Sequence, residues 1–230
     1  MDPLKSIGVA FFFGLTGSMF RVDARELSKV PKSGPLIIVT NHVHIPELPT
    51  LYTRLFPRKV RALAQAERVF KTDIAGFILR YIGTIPIHRG EADLSALREG
   101  LKTLAEGNIV QISPEGTRSH DGRLQKGLPG AILMALHSGA PVLPVVHYGS
   151  EGYGEALKHL RRVPLRYMVG RPFRVSAGDQ RVTSEIRRKM IDEVMYQMAV
   201  LLPPQYRGVY ADLEVATTEF LTFLPEAGGD

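Results

Sequence analysis

Leu36-Ile37-Ile38-Val39-Thr40 is a continuous apolar, largely β-branched run of strand length, entered from the turn cluster Pro31-Lys32-Ser33-Gly34-Pro35 and left through Asn41-His42. A run with no polar position on either side of its alternation reads as a strand buried on both faces. Similar short runs recur at residues 60–64, 84–87, 108–112, 142–146 and 165–169, with segments of helical periodicity between them. Strands alternating with helices predict an α/β fold, a single domain with a largely parallel central sheet flanked by helices.

The helices are legible as well. Residues 92–105 place Leu94, Leu97, Leu101 and Leu104 at i, i+3, i+7 and i+10, with Arg98, Glu99 and Lys102 opposite, and Gly107 as the stop. Residues 130–138 form a shorter apolar helix ended by Gly139, and residues 183–202 a longer one, capped by Thr183 or Ser184 and stopped by Pro203-Pro204. From 205 onward the periodicity is weak. The expected organisation is an N-terminal apolar, membrane-anchoring helical segment over 1–25, the α/β domain over 26–203 and a C-terminal tail over 204–230.

With 29 Lys and Arg against 23 Asp and Glu, the chain carries a formal charge of +6 and a pI near 9.6. That balance favours anionic partners: phospholipid headgroups, phosphorylated substrates or nucleic acid. The cluster Arg161, Arg162 and Arg166 lacks the interleaved aromatics that stack on bases, which speaks against nucleic acid. Seven histidines and no cysteine exclude a disulfide framework, a thiol nucleophile and any cysteine-ligated metal. Residues 7–20 (IGVAFFFGLTGSMF) span ~21 Å as a helix, short of the ~30 Å hydrocarbon core of a bilayer. The segment is compatible with an interfacial or re-entrant membrane anchor, with a buried core helix, or with a signal peptide, although no small-x-small cleavage site precedes Arg21.

Asn41-His42-Val43-His44-Ile45-Pro46-Glu47 directly follows the first buried strand, where open α/β sheets place their ligands. On one continuous helix His42 and Glu47 would lie roughly 140° apart, so the segment must bend for them to meet. Pro46 and Pro49 set the bend, because proline is tolerated only in a helix's first turn; the helix is expected to begin near 47–49, with His42 on the preceding loop. Glu47 then sits where the helix dipole favours its ionised form. A carboxylate that fixes the imidazole tautomer leaves the other ring nitrogen able to take a proton from an attacking hydroxyl. The bland alternative is a loop histidine bonded to backbone and an ordinary N-terminal helix acid. His42-x-His44 could also ligate a metal, but no carboxylate-rich partner motif follows, and no metal is expected.

Ser113-Pro114-Glu115-Gly116-Thr117-Arg118-Ser119 leaves the strand at 108–112. It is dense in residues that turn the chain and expose backbone donors, and Arg118 can grip a phosphate bidentately. Gly83-Thr84-Ile85-Pro86-Ile87-His88-Arg89-Gly90 carries a second arginine into a glycine turn, as a phosphate contact or as a surface charge. Ala140-Pro141-Val142-Leu143-Pro144-Val145-Val146 offers no acid, base or charge and reads as core, or as the lining of an apolar tunnel.

Together and in this order, the four segments resemble the glycerophospholipid acyltransferases, particularly the 1-acyl-glycerol-3-phosphate acyltransferases. The resemblance covers residues 31–146, with weaker support through Gly170-Arg171-Pro172-Phe173. It implies that residues 26–203 are an acyltransferase domain of phospholipid biosynthesis in which His42, paired with Glu47, is the general base. Arg89 and the segment Glu115, Gly116, Thr117 and Arg118 then bind the phosphate-bearing acceptor, and backbone amides around Gly116 are candidate oxyanion donors. It further implies acyl-CoA or acyl carrier protein as acyl-donor substrate, no other cofactor, membrane lipids as partners, and association with the cytoplasmic face of the membrane. Two departures stand out. The family usually has Asp where this chain has Glu47, a feature similar to the lipid A secondary acyltransferases. The family also carries a lysine near Ala64-Gln65-Ala66-Glu67, where here only Arg68 or Lys71 can substitute. The rival readings are a non-catalytic lipid-binding module, and an acyltransferase or esterase acting on a different lipid.

Overall fold

A computed structural model describes residues 20–42, 47–88, 93–119, 121–150, 152, 155, 158, 159 and 161–225, with 47–49 and 74 described by their backbone. In chain order the strands and helices are β1 (Phe20–Asp23), β2 (Leu36–Val39), α1 (Glu47–Arg54), β3 (Val60–Gln65), α2 (Ala66–Val69), α3 (Ile74–Tyr81) and β4 (Ile85–Ile87). There follow α4 (Leu94–Ala105), β5 (Ile109–Ile112), α5 (Gly130–Ser138), β6 (Val142–Tyr148), β7 (Val163–Val169), β8 (Phe173–Val175), α6 (Ser184–Leu201) and β9 (Leu221–Phe223).

Among the described residues nine strands join in the order β1-β7-β6-β2-β5-β3-β4, with β8 on β6 and β9 on β8. The block β6-β2-β5-β3-β4 is parallel throughout. β7 and β8 run antiparallel to β6, so the sheet is mixed at one side only. The carboxyl ends of β2, β3, β4, β5 and β6 therefore share one edge, the edge at which parallel sheets build sites.

The apolar pattern of β2 explains its central place. Leu36, Ile37, Ile38 and Val39 are at most 1% exposed. Alternate side chains feed opposite layers: Ile37 and Val39 join Val110, Ile112, Met190, Val194 and Met198 on one face, and Leu36 and Ile38 join Leu51, Val60, Ile109 and Leu165 on the other. At about 1.5–3 kcal/mol for each large apolar side chain fully buried, this strand is among the costliest to disturb.

Helix ends follow the local sequence. Thr183 caps α6 by accepting from Ile186 N–H at 3.2 Å, and Asp93 caps α4 by accepting from Ser95 and Ala96 N–H at 3.0 Å. The amides of Ala96 and His88, with the Ser95 hydroxyl, hold the Asp93 carboxyl far below its ordinary range. The buried face of α4 differs from the leucine stripe the periodicity predicts. Leu94 is 59% exposed, and the face turned inward carries Ala96, Gly100, Thr103 and Leu104. Small residues win because α4 lies close on α5: a Cβ at Gly100 would overlap the Met134 side chain.

The expected boundaries also move. Phe20, the last residue of the apolar run, is buried in β1, which pairs with β7 in register Phe20↔Val163; the sheet thus begins inside the expected 1–25 segment. Residues 7–19 lie outside the described residues, and among those described no helix is long and apolar enough to cross a membrane. The expected tail is part of the fold, since β9 pairs with β8 and buried Glu193 of α6 accepts from Thr217 Oγ1 at 2.6 Å, Glu219 N–H at 2.8 Å and Phe220 N–H at 2.9 Å.

α2 and α3 form a tight hairpin in which a Cβ on Gly76 would overlap the Lys71 carbonyl. Replacing a helical glycine by alanine ordinarily stabilises a helix by about 1 kcal/mol. Here Gly76→Ala is expected to destabilise by about 1–2 kcal/mol and to lower Tm by about 2–8 °C in a thermal melt. An increase in Tm would contradict the close approach.

Candidate functional site

β2 delivers the chain to the site. Beyond its last residue, Thr40 N–H continues the ladder by donating to Ile112 O at 3.1 Å. Asn41 then uses its side chain in place of backbone: Oδ1 accepts from His147 N–H at 2.9 Å, and Nδ2 donates to His147 O at 2.8 Å. A carboxamide has the donor and acceptor geometry of a peptide unit, so β2 and β6 stay paired two residues past the strand. His147 Nε2 lies 2.9 Å from Asn41 O, and both residues are buried. His42 is the first residue beyond this seam.

The backbone of His42 is gripped from both sides by the segment that leaves β5. Its N–H donates to Glu115 Oε1 at 3.0 Å, and its carbonyl accepts from Ser119 N–H at 2.7 Å. The other Glu115 oxygen accepts from Gln125 N–H at 2.9 Å. Glu115 is only 4% exposed, and burial pushes its carboxyl up to about 7 against the opposing pull of these two amides. Both oxygens of this carboxylate, expected to contact the acceptor, bond the chain's own amides.

Gly116 turns the chain with φ of +67°, and its N–H donates to Ser113 O at 3.0 Å. That bond closes the turn and takes the amide expected to serve as an oxyanion donor. Thr117 and Arg118 follow on the exposed side, and Gln125 Nε2 donates to Arg118 O at 3.2 Å. The structure thus brings His42, Glu115, Gly116, Thr117 and Arg118 to one place, although the two segments are 73 positions apart.

Glu47 is the first residue of α1, where the two prolines predict a helix start; its side chain, and residues 43–46 with His44, lie outside the described residues. Arg89 also lies outside them. Its neighbour His88 ends β4, where Asp93 Oδ2 accepts from His88 N–H at 2.9 Å and sits 3.1 Å from Nδ1. β4 stands three strand spacings from β2, roughly 14 Å, on the same edge of the sheet. Lys71, one candidate for the missing lysine, is paired with Asp73 at 3.1 Å. Residues 142–146, the apolar fourth segment, are packed between both core layers. Among the described residues no cluster of His, Asp or Glu is arranged to hold a metal ion.

Sequence reasoning passes over Asn41 as a structural seam, and over His147 and Gln125 altogether. A polar Asn-His pair directly after an all-apolar strand, and a histidine closing the run 142–146, are the only signals for the first two. Gln125 acts through its backbone amide and leaves no signal in side-chain chemistry.

The family model described as Acyltransferase matches residues 21–148, from β1 to the end of β6. The chain is 26% identical over 186 residues to the chloroplastic 1-acyl-sn-glycerol-3-phosphate acyltransferase BAT2 of Brassica napus, covering 76% of this chain and 51% of that protein. It is 28% identical over 152 residues to the 1-acyl-sn-glycerol-3-phosphate acyltransferase of Bacillus subtilis, covering 66% and 73%. The chain thus spans about half the length of the plant relative and about three quarters of the bacterial one. In fold it is similar to the crystal structure of the 1-acyl-sn-glycerophosphate acyltransferase PlsC of Thermotoga maritima, with a TM-score of 0.57, 23% identity, and coverage of 84% of this chain and 75% of that one. The matched residues make up more than half of the 230 and contain the His42 and Glu115 segments with the parallel strands that carry them; the chain belongs to the acyltransferase family.

Proposed function

We propose that this protein transfers a fatty acyl group from an acyl thioester, acyl-CoA or acyl carrier protein, to the free hydroxyl of 1-acyl-glycerol-3-phosphate, giving phosphatidic acid at a membrane surface. The observation that carries this reading is the grip of the 115–119 segment on both backbone groups of His42. A general base has to be held within hydrogen-bond reach of one hydroxyl, and a backbone pinned at N–H and carbonyl restricts where the imidazole can go.

His42, oriented by Glu47, takes the proton of the acceptor hydroxyl as that oxygen attacks the thioester carbonyl. The tetrahedral intermediate collapses with loss of the thiolate, which is protonated on leaving, and the acyl group ends on the acceptor oxygen. The chain has no cysteine to form a covalent thioester intermediate. Arg118, exposed beside the grip, and Arg89 bind the phosphate and turn that binding energy into placement of the hydroxyl. The net charge of +6 and the apolar run 7–20 support work at an anionic lipid surface, on its cytoplasmic side. The names of the relatives support the acceptor class.

Transfer of radiolabelled palmitate from palmitoyl-CoA to lysophosphatidic acid in anionic vesicles tests the reading. Wild type is expected to form phosphatidic acid; His42→Ala and Glu47→Ala are each expected to lose at least about a hundredfold in rate. Label appearing only as free fatty acid would instead make the protein a thioesterase, and His42→Ala that leaves both activity and lipid binding unchanged would favour a non-catalytic module. Arg118→Ala is expected to raise the acceptor KM about tenfold, the order of one charge-assisted phosphate contact, with the acyl-donor KM unchanged.

The grip also sets a pH dependence. The Glu115 carboxyl ordinarily titrates near 4.5 and is pushed up to about 7 by burial. Between those values the folded protein keeps a proton that the unfolded chain has released. The contribution to stability therefore falls as pH rises through this window and levels off above it. Chemical denaturation at about pH 5 and about pH 7.5 is expected to show wild type losing more stability between the two than Glu115→Gln, which has no carboxyl to titrate. Equal losses would contradict the assignment.

A further inference from the structure

The loop that supplies Gln125 to Glu115 is itself held from outside the matched family residues. Leu124 N–H donates to Tyr206 O at 2.9 Å, and Val209 N–H donates to Leu124 O at 3.3 Å. Gly127 N–H donates to Tyr210 Oη at 3.0 Å, while the Arg188 guanidinium donates to Gly127 O at 2.8 Å. Leu128 N–H donates to Pro114 O at 2.8 Å, which lays the loop along the Glu115 turn.

Each attachment is specific in shape. A Cβ on Gly127 would lie 2.7 Å from Met195 Cγ and 2.9 Å from Ile191 Cγ1, so only glycine lets the loop rest on α6. Gly208 has φ of +54°, and a Cβ there would overlap Leu124 backbone. The Tyr210 hydroxyl donates to Asp192 Oδ1 at 2.8 Å, which leaves its oxygen lone pair aimed at Gly127 N–H. The Tyr210 ring stands edge-on to Tyr196 with centroids 5.1 Å apart, and the residue is 4% exposed.

These contacts form one line: Asp192 orients Tyr210, Tyr210 and Arg188 fix Gly127, the loop presents Gln125 N–H, and Glu115 joins that amide to the amide of His42. We propose that Tyr210, with Arg188, is a positioning residue for His42, so that the C-terminal segment is the outer brace of the catalytic loop. The proposal rests on the acyl-transfer reading for its kinetic consequence and on backbone geometry alone for its structural one. Its chemistry is modest: one hydroxyl that accepts from an amide and donates to a carboxylate. Removing it takes away one of the loop's attachments, and so loosens the placement of Gln125 N–H against Glu115, without opening the apolar core around the ring.

The test compares wild type, Tyr210→Phe, Glu115→Gln and the double variant, with Glu193→Gln as a control. Glu193 holds the same tail at Thr217, Glu219 and Phe220, away from the loop. Palmitoyl transfer to lysophosphatidic acid gives kcat and KM, thermal melts give Tm, and amide hydrogen exchange reads the peptides that contain His42 and Gln125. Tyr210→Phe is expected to lower kcat about tenfold, the order of a small misplacement of the base, with acceptor KM within about twofold. Exchange at both peptides is expected to quicken. Because Tyr210 acts through Glu115, the double variant is expected to be no slower than Glu115→Gln alone. Glu193→Gln is expected to lower Tm with kcat unchanged. The brace is overturned if Tyr210→Phe lowers Tm but leaves kcat and His42 exchange as in wild type, or if the two rate losses multiply in the double variant. Should wild type form no product, the acyl-transfer reading fails by itself. The exchange at His42 in Tyr210→Phe still decides the brace: faster supports it, unchanged overturns it.

Discussion

One buried carboxylate ties this structure together. Glu115 spans two backbone amides, those of His42 and Gln125, with one oxygen for each. An acid taken out of water is costly unless its oxygens are bonded. Here the bonds that lower that cost are the same bonds that place the His42 backbone, so the loop carrying it cannot leave its position without stranding a buried polar group. The raised titration of the Glu115 carboxyl records the remaining imbalance: two neutral amides are weaker compensation than a cation would be. A buried arginine opposite Glu115 would hold the carboxyl more firmly ionised, but would also put positive charge beside the imidazole proposed above to accept a proton.

Everything beneath this bridge exists to bring three distant segments to one edge. The parallel block β6-β2-β5-β3-β4 aligns the strand ends, and the all-apolar β2, with Ile109, Val110 and Ile112 of β5, locks the register from both faces. Where the backbone ladder stops, the Asn41 side chain continues it onto β6, so the loop carrying His42 departs from a fixed point. On the far side of the bridge, α6 and the C-terminal segment hold the loop that presents Gln125. The family model ends at residue 148, while the contacts that steady its central loop extend to Tyr210.

Much of this was legible in the sequence, for reasons that also explain the rest. β2 announces itself because a strand buried on both faces has to be apolar throughout, and β3, β5, β6 and β7 because they keep short runs rich in apolar residues even where Arg61, Gln111, His147 and Arg166 interrupt them. Thr183, Gly107 and Gly139 mark helix ends because caps and left-handed turns need those residue types. β1, β8 and β9 are three or four residues long and share their pattern with loops, so local composition cannot find them. The α4 stripe misleads because leucine periodicity gives a helical face without saying which face a neighbouring helix approaches; that is decided by Gly100 and Met134. At the site, His42, Gly116, Thr117 and Arg118 are found together, and Glu47 opens α1 as the prolines predict. Glu115 was legible as a site residue but not in its part, since a carboxylate that faces inward to two amides has the same letter as one that faces a ligand. The seam between Asn41 and His147 joins residues 106 positions apart and has no local signature.

The central claim is that His42, so held, activates the acceptor hydroxyl for direct attack on the thioester. Rapid-quench measurement of free CoA from palmitoyl-CoA, with enzyme in excess and with lysophosphatidic acid present or absent, tests it most directly. Thiol release is expected only when the acceptor is present, in step with phosphatidic acid. A burst of CoA equal to the enzyme without acceptor, with the acyl group retained on the protein, would contradict it.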